Sequence, residues 1–145
     1  MSALGEAPDD VEEALAAYLG QIPLGAGFRR AAISRRAGDP FPFTLIRNLG
    51  GGEDPENGFS DPLVSIRTLC DKKLGDEAAR DECATTHEWM LNLARVQEDI
   101  PISNGRIVNF DYVNVVEQPH WIPFGDDQVL CKLGRYGIGL SYVRK

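Results

Sequence analysis

Several absences narrow the chemistry open to this 145-residue sequence. Cysteine occurs three times, as Cys70, Cys83 and Cys131. That is an odd number with no recurring spacing, so neither a disulfide framework nor a zinc motif is read from it. No run approaches the roughly 18 apolar residues of a membrane-spanning helix, and no apolar stretch near the N-terminus leads to a cleavage site. The expected product is therefore reduced and cytosolic, with no membrane span and no secretion signal. There is no GxSxG, no HExxH, no dinucleotide-binding glycine fingerprint and no internal repeat. Positive charge is also short: 15 Lys and Arg stand against 22 Asp and Glu, a net charge of −7. Such a balance argues against a general nucleic-acid binder, which would turn a basic face to phosphate.

What is present is ordinary for a globular chain, 43% hydrophobic and 26% charged. One domain of this length buries roughly 70% of its unfolded surface and needs no metal or disulfide for a core. The stretch from Asp61 to Gln97 organises it. Val64, Ile66 and Cys70 share one strand face, with Ser65 and Arg67 on the other, a period of two. Leu74-Gly75-Asp76 breaks the strand, and Asp76 is the expected N-cap of a long helix. Ala79, Cys83, Thr86, Met90, Leu93 and Ala94 then recur every three or four residues, one apolar stripe along a helix of roughly 33 Å.

Before it, Asp9 or Asp10 caps a first helix bearing Val11, Leu15, Tyr18 and Leu19, and Gly20 suits a left-handed C-terminal cap. Strands are expected over Phe28–Ser34 and from Phe41, the second after a Gly38-Asp39-Pro40 turn. Residues 50–60 read as a mobile loop. After the long helix, Ile107–Val116 is a strand, Gln118–Phe124 a proline-punctuated crossover, and Val129–Val143 a last strand with a bulge between Lys132 and Gly134. Tyr136, Ile138, Leu140 and Tyr142 share one face of that strand. The expected fold class is α+β: one domain over 1–145 with a flexible N-terminus (1–8), and a mostly antiparallel or mixed sheet with two helices on one face.

Candidate chemistry is sparse. Cys83 and His87 stand four apart on a helix, a spacing able to place two ligands on one metal, but Cys70, His120 and Cys131 would all have to converge to complete a site. No metal and no cofactor are expected. Cys83 lies mid-helix on the buried face, where a thiol is inert, and the pairs Asp9-Asp10 and Asp126-Asp127 suit caps and turns, so no catalytic residue is assigned. The Gly50–Gly58 stretch carries Glu53, Asp54 and Glu56 where a phosphate-binding loop would carry Lys and Ser or Thr. Its expected role is contact with another protein, through Glu53 and Asp54. Arg29, Arg30, Arg35 and Arg36 alternate faces if they lie on a strand, which suits a solvated strand or a subunit contact.

In layout the chain resembles the tail terminator (tail completion) proteins of long-tailed, siphovirus-type bacteriophages, particularly those of actinobacterial hosts. The motifs carrying the likeness are Gly38-Asp39-Pro40 before a strand, the glycine-rich stretch, and Asp61-Pro62-Leu63-Val64-Ser65-Ile66 leading into the long helix. Gln118-Pro119-His120-Trp121-Ile122-Pro123-Phe124 and Tyr136-Gly137-Ile138-Gly139-Leu140 follow in order. One departure is Glu88-Trp89 after His87, where the family helix carries basic residues. The resemblance implies a structural virion protein, assembled in the host cytoplasm, with a terminator-like fold. Such a protein forms a ring, commonly a hexamer, on the head-proximal end of the tail tube. It would meet copies of itself, the tail tube protein and the head–tail connector, while DNA passes through the lumen without specific binding. Trp121, Phe124, Arg29, Arg30, Glu53 and Asp54 are the expected interface residues. A neck protein of the same particle, a small cytosolic enzyme with a cleft joining Cys83, His87 and His120, and a monomeric binding module are the alternatives.

Overall fold

The computed structural model describes residues 9–36, 38–54 and 59–143. Helix α1 (Asp10–Leu19) starts at a reciprocal cap: Glu12 N donates to Asp9 Oδ1 at 2.9 Å, and Asp9 N donates to Glu12 Oε1 at 3.0 Å. Such a cap contributes about 1 kcal/mol by pairing two amides the helix cannot use. Val11, Ala14, Leu15, Tyr18 and Leu19 form its buried side. Gly20 ends it as expected but in the right-handed region, φ −70°, and what requires glycine there is space: a Cβ would sit 2.8 Å from the Ala16 carbonyl oxygen.

A small hairpin, β1 (Pro23–Leu24) with β2 (Gly27–Phe28), precedes β3 (Arg30–Ala32), much shorter than the strand expected over 28–34. Then come β4 (Phe43–Asp54), β5 (Phe59–Asp71), a 3-10 turn (Lys72–Leu74) and α2 (Gly75–Val96). The last strands are β6 (Ile100–Pro101), β7 (Ile107–Ile122) and β8 (Val129–Tyr142). They form one six-stranded sheet in the order β3-β4-β5-β8-β7-β6, antiparallel except for the β3–β4 pair. The protein is thus α+β, with a curled, mostly antiparallel sheet and two helices. Helix α2 lies on β5, β7 and β8, while α1 touches β3 and β4 on one side and β6 and β7 on the other, so the sheet curves around it. Among the described residues no helix is long and apolar enough to cross a membrane.

Four local expectations change. Asp76 does not cap α2: Leu74 holds that position without a side-chain bond, and Asp76 and Glu77 sit in the first turn, where negative charge favours the helix dipole. The mobile loop expected over 50–60 is partly ladder, since Gly50–Asp54 pair with Phe59–Leu63; residues 55–58 lie outside the described residues. The crossover expected at 118–124 is strand as far as Ile122, because register shifts after Val115 and Glu117 absorb Pro119 without ending the pairing. Strand β8 carries no bulge against β5, whose register runs unbroken from Asp71↔Val129 to Leu63↔Gly137. The apolar pattern slips because the covered face changes. Cys131 and Leu133 are buried on the face away from the helices, and Tyr136, Ile138 and Leu140 on the face beneath them.

The sheet therefore serves two cores. The larger joins α1 and α2 to Ile46, Val64, Ile66, Val108, Phe110 and the second half of β8. The smaller, on the opposite face, centres on Phe43, Leu69, Val129 and Cys131, with Phe41, Leu45, Ile122 and Phe124 packed around them.

Candidate interaction surface

Where the chain enters β3, two neighbouring arginines have opposite surroundings, Arg29 buried just before the strand and Arg30 exposed at its start. Arg29 turns under α2, where it is 3% exposed. Its guanidinium donates to Thr86 Oγ1 and, at 3.2 Å, to the Glu82 carbonyl, and Glu82 Oε1 lies 3.4 Å away. Thr68 Oγ1, 3.2 Å from Thr86 Oγ1, extends the network into β5. Burial lowers the Arg29 pKa and the Glu82 carboxylate raises it again. An arginine held this way is structural, which removes Arg29 from the expected interface.

The other half of α2 places His87 Nδ1 2.7 Å from the Tyr136 hydroxyl. Burial drives the Tyr136 pKa far up and lowers that of His87, so the phenol keeps its proton and the neutral imidazole accepts a hydrogen bond from its O–H. Cys83 lies on the same side of the sheet, whereas His120 pairs with Leu133 on the other face, so no cleft unites the three. All three thiols are buried, and desolvation pushes Cys70 to about 12, Cys131 to about 11 and Cys83 in the same direction, away from the thiolate that nucleophilic or metal chemistry requires. Among the described residues no group of three His, Cys, Asp or Glu is placed to hold a metal ion.

One open groove lies at one end of the sheet, where β7 turns into β8 beside the first turn of α2. It measures about 440 Å³ and is lined by Trp121, Phe124, Asp76, Asp126 and Asp127, over a floor that includes Val129. Trp121 remains 39% exposed and carries the Lys132 ammonium 5.0 Å from its ring centroid. Asp126 Oδ1 accepts from Gln128 N at 2.9 Å, which fixes the turn and sets its carboxylate at the groove wall. Lys72 N donates to the Gln128 carbonyl at 3.0 Å beside this turn, and Lys132 brings one ammonium to the groove-lining Trp121.

At the same end of the sheet, three cross-strand rows run over the face opposite the helices. They read Arg30–Phe43–Leu69–Cys131–Ile122, then Ala32–Leu45–Arg67–Leu133–His120, then Arg47–Ser65–Arg135–Glu117. Four arginines share these rows with one carboxylate, Glu117, which binds Arg135 at 2.7 Å and lies 3.4 Å from His120. Arg30, Arg47 and the nearby Arg36 are exposed and form no ion pair among the described residues. Arg35 instead stacks over Phe41, 4.0 Å from the ring centroid.

No protein-family model matches the sequence, and no curated protein does either. Of the residues expected at an interface, Trp121 and Phe124 come together in the groove, and Arg30 stands at the far end of the row that ends at the groove-lining Ile122. Glu53 and Asp54 belong to the β4 end that points away from it, and only their backbone pairing is described. Asp76, Asp126 and Asp127 line the groove with Trp121 and Phe124, although the sequence places Asp76 at a helix cap and Asp126-Asp127 in a turn. The available signal was an acidic pair following an aromatic, proline-bounded segment.

Proposed function

We propose that this protein is a ring-forming tail terminator of a long-tailed phage, a structural component without catalytic chemistry. One observation carries the reading: among the described residues the sheet has two long edges, on opposite sides, that neighbouring strands pair with over only a short stretch. Strand β3 covers only Phe43–Leu45 of β4, and β6 covers only Ile107–Val108 of β7. Uncovered edges invite association with another chain. Both edges also bear exposed apolar side chains, Leu49 on β4 and Tyr112, Val116 and Trp121 on β7. Contact between unlike edges is heterologous, and such contacts close into rings when the rotation between subunits divides a full turn. The net charge of −7 suits a ring through which DNA slides, because like charge keeps phosphate from lodging. The order of the sequence motifs points to the same assembly.

The test adds purified protein to polymerising tail-tube subunits and scores tube length and end density by negative-stain microscopy. Shortened tubes with a ring at one end are expected. Tubes that keep growing with bare ends would overturn the reading.

A further inference from the structure

We infer that the groove around Trp121 is the socket for an arginine of a second copy of this chain, supplied by the Arg30–Arg36 edge. This deepens the ring reading and rests on it. The groove offers what a guanidinium takes up: aromatic surface from Phe124 and from Trp121, whose ring already has the Lys132 ammonium 5.0 Å from its centroid, and carboxylates from Asp76, Asp126 and Asp127 for its donors. A compact ammonium would gain less from the flat aromatic walls. The same molecule presents the complementary group. Arg30 and Arg36 are exposed and form no side-chain ion pair among the described residues, the Asp39 carboxylate accepting only from the Arg36 backbone N–H at 2.8 Å.

Position makes the match directional. Arg30 and Ile122 terminate the same cross-strand row, so the basic edge and the socket lie at the same end of the sheet and on opposite sides of it. A neighbour placed edge to edge brings its Arg30 side to the Trp121 side of the first copy and leaves its own socket open for the next. The contact is therefore head-to-tail, and it propagates until it closes. Nucleic acid is the competing occupant of the arginines. It is disfavoured by the overall negative charge and has no use for the acidic groove.

Charge exchange provides the test. Sedimentation over a range of concentrations should show that wild-type protein self-associates, and that the Arg30→Glu/Arg36→Glu variant and the Asp126→Lys/Asp127→Lys variant each do so about tenfold or more weakly. Mixing the two variants should restore association, because the edge of each is opposite in charge to the socket of the other, in strictly alternating order. Thermal melts of both variants show that they remain folded. Wild-type protein that stays monomeric at every concentration, or a mixture that associates no better than its components, would overturn the inference. So would binding of a short DNA duplex that is lost in the arginine variant while self-association persists. Tube capping scored in parallel separates the two ideas. Restored association with bare tube ends defeats the terminator reading alone, and capped tubes with no charge effect defeat the socket alone.

Discussion

His87 and Tyr136 give the molecule a titration that can be followed at one hydrogen bond. Folding lowers the His87 pKa, so the unfolded chain binds that proton more readily. The contribution of His87 is fully present above the unfolded value of about 6.5 and is lost as pH falls below it. The melting temperature should drop between neutral and mildly acidic pH, and His87→Phe should flatten part of that slope; an unchanged slope would remove His87 from the account. A second residue-scale test concerns Gly139. A Cβ there would fall inside the Tyr112 ring, which lies over the glycine on the neighbouring strand. Gly139→Ala should cost about 1–3 kcal/mol through overpacking. The penalty should shrink when Tyr112 is also Ala, since the two sites are in contact. Equal penalties in both backgrounds would mean that the ring is not what excludes the side chain.

Among the elements, α2 carries the clearest prediction. Met90 and Leu93 are 0% and 1% exposed, so replacing either with Ala should cost about 2–5 kcal/mol, the usual range for a core cavity. Melting close to wild type would place that stripe in solvent. Both helices were legible in the sequence because their apolar residues repeat every three or four positions and acidic groups mark their starts. The edge of the sheet was harder to read. Gln118–Ile122 holds two strands together despite Pro119, and only the register of β8 reveals it. The parity change along β8 looked like a bulge because a sequence shows which side chains are apolar, but not which face of a sheet is covered. The groove was half visible for the same reason. Trp121 and Phe124 stood out by type, but Asp76 joins them only through the packing of α2 against the strand ends. Arg29 and Arg30 look alike in sequence and have opposite fates, one buried just before β3 and the other exposed at its start.

At the scale of the whole molecule, the proposals above depend on a sheet whose two sides are unlike. One side carries a basic edge and the other an aromatic and acidic groove, and the row between them lies buried in the smaller core on the face away from the helices. The strand order has a further consequence, for the timing of folding. Strand β8 is the last made of the six, and it inserts between β5 and β7. Until it emerges, the chain holds only two separate strand groups, β3 with β4 and β5, and β6 with β7, with no ladder joining them. Helix α1, made first, meets part of its setting only at the end: Tyr142 donates to Asp10 Oδ2 at 2.7 Å across almost the entire chain. Before β8 has emerged from the ribosome, the sheet therefore cannot close. Native structure and the edges it presents to neighbours arrive together, after synthesis of residues 129–142, so partly made chains have no native row with which to join a growing ring.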